Sequence, residues 1–159
     1  MAPLIVLLAT FAISFAVNRF LLGERFSTSL IGRVAIAVML LITGTAHFTN
    51  TDVMVEMMPD AMPLKREMIY FTGVCELGAA FGLVWARTAR LASILLIAFF
   101  ILVLPANIAG SLKQVNLGGM EYGAIYLLFR IPLQILFIWW VWYFGLRLNS
   151  SVPPAPERS

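Results

Sequence analysis

Residues 89–109, ARLASILLIAFFILVLPANIA, decide the class of fold. Beyond Arg90 the stretch holds no charged side chain, and its length matches the roughly 20 residues that a helix needs to cross a bilayer. Backbone inside lipid must satisfy its own hydrogen bonds, so the stretch reads as a spanning helix. Working outward, comparable apolar runs occupy residues 3–22, 30–48, 68–86 and 122–146. Hydrophobic residues make up 61% of the sequence and charged ones 12%, a balance far to the apolar side of a soluble domain. Five helices use up the sequence and leave no stretch for a soluble catalytic domain. The expected fold is all-α, a polytopic membrane helical bundle.

The basic residues sort by loop. Arg19, Arg25, Arg33, Arg87, Arg90, Arg147 and Arg158 fall on one side of the expected bundle, and Lys65, Arg66 and Lys113 on the other. The positive-inside rule then expects the C-terminus in the cytoplasm and the N-terminus outside, in the cytoplasmic (inner) membrane. Although the formal net charge is +3, no basic cluster of the kind that binds nucleic acid is present, so no nucleic acid is expected as a partner. The run over residues 3–17 lacks the basic leader of a signal peptide and is read as a helix. Cys75 is the sole cysteine, which excludes an internal disulfide or a cysteine redox pair. Residues 50–67 hold Pro59 and Pro63 among several methionines and read as an interfacial or partly re-entrant loop. Residues 86–91 are a link so short that the helices it joins must be antiparallel neighbours. Residues 149–159, with Pro153, Pro154 and Pro156, are expected to be a disordered cytoplasmic tail.

Two opposite charges, Glu76 and Arg130, lie inside spanning runs. A charge near the bilayer centre costs at least about 3 kcal/mol, so each is expected to face a partner or a water-filled cavity. Glu76 shares a helical face with the small residues Thr72, Gly73, Ala79 and Ala80, which permit close helix contact. Arg130 lies on one face with Gly123, Tyr126, Gln134 and Phe137, while Trp139, Trp142 and Tyr143 project mostly the other way. At 1.5 Å per residue, Glu76 sits about 10 Å below Ile69 and Arg130 about 12 Å below Tyr122. The similar depths suggest pairing. Two readings stand: a buried ion pair that orients helices, or a pocket in which Gln134, His47 and Asn107 join the pair. Gly78 and Gly82 form a G-x-x-x-G on another side of the Glu76 helix, read as tight packing.

The order of several motifs resembles the DoxX family of small membrane proteins. Gly44-Thr45-Ala46-His47-Phe48 is followed by Met58-Pro59 and Pro63, then by Tyr70 through Leu77. Pro105-Ala106-Asn107-Ile108 and Arg130-Ile131-Pro132-Leu133-Gln134, with Trp139 and Trp140 behind, are similar to later segments of that family. The resemblance spans residues 33–143 and implies a four-helix DoxX-like membrane domain over 30–148. An extra N-terminal transmembrane helix and a cytoplasmic loop would then fill residues 1–29.

The resemblance also implies a function, a non-catalytic subunit or anchor of a quinone-linked or oxidative-stress redox complex. Its expected partners are membrane lipid, a membrane or peripheral redox protein, or a second copy of the chain. No haem-ligand His pair, cysteine pair or nucleotide loop is present, so no enzymatic activity is assigned to the chain alone. The alternative is a pocket for a quinone or small lipid, with a proton-transfer role, formed by Glu76, Arg130, Gln134, His47, Asn107, Tyr70 and Tyr126. No cofactor is firmly implied beyond such a bound quinone or lipid. A Cu(I) site from Met54, Met57, Met58, Met62 and His47 is a weaker alternative to simple packing by adaptable side chains. A channel or transporter is a further class, for which a pore would require an oligomer with more than one polar helix face.

Overall fold

The structure, a computed structural model, describes residues 2–59, 62–116 and 119–148. Six α-helices form among them: α1 (Ala2–Phe20), α2 (Thr28–Thr49), α3 (Thr51–Met57), α4 (Lys65–Val84), α5 (Ala89–Leu112) and α6 (Ala124–Val141). A 3-10 turn, Met120–Tyr122, precedes α6, and a π-helical segment, Trp142–Arg147, continues it. No strand occurs among the described residues. Five helices are long and apolar enough to cross a membrane: α1, α2, α4, α5, and α6 with its π-helical continuation. This is the architecture of a membrane protein, as the hydrophobic runs require.

The central helix is α2. Ser27 starts it, its hydroxyl accepting from the Leu30 N–H at 3.2 Å. Ten of its residues are buried because it is covered from one side by α4 and from another by α1. Ile36, Met39, Leu40, Leu83, Leu96, Leu133, Phe137 and Val141 make the main core. Helix α1 docks on it through Leu7 and through Phe11, whose ring meets Trp140 edge-on at 5.0 Å and Phe144 at 5.4 Å. Most of the remaining α1 surface is exposed, as befits a helix bathed in lipid.

The end of the bundle away from His47 is fixed by close backbone approach. A Cβ on Gly32 would lie 2.2 Å from the Phe144 ring, so only glycine admits that ring against α2. Trp140 Nε1 donates to the Gly32 carbonyl at 2.9 Å, and the Ser29 hydroxyl donates to the Phe144 carbonyl at 2.8 Å. Arg33, read from the sequence as a loop-side charge, is buried. Its Nη1 donates to the Leu83 carbonyl at 3.1 Å, one of the acceptors that the end of α4 leaves unpaired.

The region between α2 and α4 differs from the expected loop. Asn50 ends α2 and begins α3, and Thr51 donates to the His47 carbonyl at 2.7 Å, bending the chain directly into the short helix. Helix α3 is tied to α4 by an Arg66–Asp52 ion pair. Its Met57 joins Val115, Met120 and Tyr126 in a second apolar cluster. The short turn between α4 and α5 does make them antiparallel neighbours. Pro105 and Pro132 lie inside α5 and α6, which run through them. The expected tail, residues 149–159, and Asp60 lie outside the described residues.

Candidate functional site

Glycines on facing helices build the site. A Cβ on Gly44 of α2 would stand 3.0 Å from Leu77 Cδ2 and 3.2 Å from Glu76 Cβ. On Gly73 of α4 it would stand 2.8 Å from His47 Cβ and 2.9 Å from the Phe48 ring. Without these side chains α2 and α4 approach closely, and Glu76 comes to lie beside Thr43 and His47. The Thr43 hydroxyl donates to Glu76 Oε2 at 2.5 Å. His47 Nε2 is 3.4 Å from Glu76 Oε1.

The other nitrogen of His47 settles the bonding order. Thr72 Oγ1 lies 3.1 Å from His47 Nδ1 and 2.8 Å from the Ile69 carbonyl. A hydroxyl has one proton, and the shorter contact, to an acceptor that cannot donate, takes it. The Thr72 oxygen therefore accepts from Nδ1–H. With Nδ1 protonated, Nε2 is left facing Glu76 Oε1 at 3.4 Å, near enough for a proton to be held on either atom, as an ion pair or as a neutral pair. Thr72 and Thr43 bracket that contact. Neither threonine was among the sequence candidates, although each is one helical turn from a residue that was: Thr43 from His47, and Thr72 from Glu76.

The expected Glu76–Arg130 ion pair does not form. Glu76 is held by Thr43 and His47, while Arg130 Nη2 donates to Asn107 Oδ1 at 3.0 Å. Tyr126, one turn before Arg130, is its other polar neighbour, and Glu76 acts on the guanidinium through space. Arg130 Nε is closed off from solvent with no acceptor among the described residues. Asn107 is buried at this contact. Gln134 is buried beside it, its Nε2 donating to the Phe100 carbonyl at 2.7 Å.

Between the two halves lies a small cavity of about 60 Å³, lined by Pro3, Met39, Thr43, Phe100, Val103, Arg130, Gln134 and Phe137. Thr43 is its hinge residue, facing the cavity while its proton reaches Glu76. A water needs about 10–15 Å³ of such space, so a handful fit, whereas an apolar ring of benzene size occupies a cavity of about 150 Å³.

Two sequence candidates stand apart. Tyr70 is partly exposed, stacks on Phe48 with ring centres 5.7 Å apart, and receives a bond from Arg66 at 3.5 Å. Tyr126 is buried mainly in the second apolar cluster, next to Arg130 but not at Glu76. Among the methionines of the expected copper site, Met57 and Met58 are buried, and Met57 lies against Gly110. No group of three His, Cys, Asp or Glu side chains suited to a metal occurs among the described residues. On the outside of the bundle, Cys75 and Gly78 of α4 line an apolar groove of about 510 Å³ shared with Leu91, Leu95 and Leu102 of α5. Gly78 has open space beside it, and only Gly82 of the G-x-x-x-G makes a close contact, 3.0 Å to Ala92.

A family profile described as "Domain of unknown function (DUF8561)" matches residues 36–145, and the chain belongs to that family. This corrects the DoxX resemblance, since the match covers all of the quoted segments that suggested it. The physical reason is that those segments are packing devices: Gly44 and Gly73 serve close α2–α4 contact, and Trp140 anchors α6 on Gly32. Such devices recur in unrelated helical bundles. No curated protein and no solved structure matches the chain. The matched segment begins inside α2, so α1 lies outside it.

Proposed function

We propose that this membrane protein exchanges a proton between one face of the membrane and a hydrated pocket inside its helical bundle. The proton-holding pair is His47 and Glu76. The observation that supports this reading is the run of contacts Ile69–Thr72–His47–Glu76–Thr43, in which hydrogen bonds join Thr72 to Ile69 and His47 and join Thr43 to Glu76, while Nε2 faces Oε1 at 3.4 Å, near enough for one proton to be held on either side, and Thr43 connects the carboxylate to the cavity. A His–carboxylate pair is suited to the task because imidazole titrates near neutrality and both groups respond to their surroundings.

Access is one-sided. His47 lies two residues from the end of α2, whereas beyond the cavity the bundle is filled by Leu40, Ile36, Leu83, Leu96 and Val141. That apolar plug argues against a through-channel and for delivery of a proton to a hydrophobic substrate or partner at bilayer depth. With the charge bias of the loops, the accessible face is the non-cytoplasmic one. The redox-subunit expectation loses its basis together with the DoxX resemblance. A lipophilic ligand remains a second reading, carried by the α4–α5 groove rather than by the polar centre. For that reading, Gly78→Phe is expected to strip a lipid or quinone that co-purifies with the wild type, and unchanged lipid content would refute it.

The test uses cysteine accessibility in a Cys75→Ser background, since Cys75 is the sole native thiol. Single cysteines at positions 43, 47 and 36 are treated in sealed vesicles with a membrane-impermeant reagent that requires the thiolate, and hence water. Positions 43 and 47 are expected to react from one face only, and position 36 from neither. If 43 and 47 stay unreactive from both faces in folded protein, the pair is a sealed structural contact and the proposal falls.

A further inference from the structure

Arg130 brings a positive charge into the bundle without a carboxylate in contact. Its Nη2 is spent on the neutral amide oxygen of Asn107, its other polar neighbour is the neutral Tyr126, its Nε has no acceptor among the described residues, and no Asp or Glu among them comes within 4 Å. An uncompensated cation away from water is costly, and removing one partner of a buried pair is strongly destabilising for the same reason. The cavity beside it is lined by Arg130, Gln134 and Thr43 on otherwise apolar walls from Met39, Phe100, Val103 and Phe137. Its volume of about 60 Å³ suits a monatomic ion with one or two waters.

We propose that this cavity binds a small monovalent anion of the halide class, and that the anion binds together with a proton on the His47–Glu76 pair. The second half rests on the proton-exchange reading above; the anion site itself does not. The coupling has a definite sign. The titratable and charged groups facing the cavity region are His47 from α2, Glu76 from α4, and Tyr126 and Arg130 from α6; α5 contributes only the neutral Asn107. An anion on the Thr43 side of Arg130 raises the cost of negative charge on Glu76, which Thr43 touches. The pair then holds its proton more tightly, and the fraction of molecules that has lost it takes one up from the medium. By linkage, proton uptake strengthens anion binding by the same factor.

The experiment uses the full chain in detergent. Thermal unfolding is compared in bromide and in gluconate at equal ionic strength, and proton uptake on bromide addition is followed with an indicator dye in weak buffer. The wild type is expected to gain a saturable rise in Tm and to make the medium more alkaline. Arg130→Gln is expected to lose roughly tenfold or more in bromide affinity, the value of a charge-assisted hydrogen bond. Val103→Phe, which fills the cavity and leaves Arg130 in place, guards against misfolding of the arginine variant and is expected to abolish both effects. Diffraction from bromide-grown crystals should give an anomalous peak beside Arg130 Nε. Equal Tm in the two salts, or water alone at that position, would overturn the anion site. Bromide binding without proton uptake would overturn the coupling, and because thiol accessibility at positions 43 and 47 is read separately, that failure is distinct from failure of the proton pair.

Discussion

Replacing Gly73 with alanine tests whether the α2–α4 seam sets the geometry of the proton pair. The new Cβ would lie 2.8 Å from His47 Cβ and 2.9 and 3.1 Å from two Phe48 ring carbons. Carbon atoms settle at about 3.5–4.0 Å, so the seam must open by roughly 0.7–1.2 Å. His47 Cβ is one bond from the backbone and cannot swing away, so the helices themselves have to move. The Glu76–His47 contact, now 3.4 Å, would then stretch to about 4 Å or more. Overpacking of this kind costs about 1–3 kcal/mol. Alanine also gains helix propensity over glycine, a term that must be separated from the clash. Gly78→Ala on the same helix does this, because nothing lies within 4 Å of a Cβ there. Unfolding both variants by titration with a denaturing detergent should place Gly73→Ala below Gly78→Ala by about 1–3 kcal/mol. A difference under about 0.5 kcal/mol, the scatter of ordinary surface substitutions, would refute the reasoning.

Three further outcomes follow from particular contacts. Thr43→Val keeps the volume and removes the 2.5 Å donor to Glu76, so the fold should lose about 1.5–3 kcal/mol in the same titration, and an unchanged midpoint would deny the bond. Trp140→Phe removes the donor to the Gly32 carbonyl and should cost about 1–2 kcal/mol without altering thiol reactivity at position 47. Arg33→Gln removes the bond to the Leu83 carbonyl and should loosen the end of α4, visible as faster amide exchange at residues 81–84, with α6 unaffected.

The spanning helices were legible because hydrophobic length is a one-dimensional property. The ends of α5 deviate little from the apolar run that announced it. Gln134 was legible as an inward residue because helical period fixes a face. The partner of Glu76 was not, since rise per residue gives depth along a helix but not which helix stands beside it. That choice is made by Gly44 and Gly73, which draw α4 onto α2 and leave Arg130 to Asn107 across the cavity. Arg33 was misplaced because a charge close to the start of α2 reads like a loop charge, while its long side chain reaches the end of α4. Helix α3 is too short to carry a periodic signal. The π-helical end of α6 changes hydrogen bonding rather than composition, so nothing in residues 142–147 announces it.

His47 is the only histidine in the chain, so labelling with ¹⁵N-histidine reports on the central pair without further assignment. The spectrum of the labelled protein in lipid bilayers is the most direct measurement of the account. Nδ1 is expected to carry a proton, donated to Thr72, while the Nε2 signal is expected to show a proton shared with Glu76 and to shift in Glu76→Gln. A bare Nδ1, or an Nε2 signal indifferent to Glu76→Gln, would contradict the shared proton and with it the proposed function.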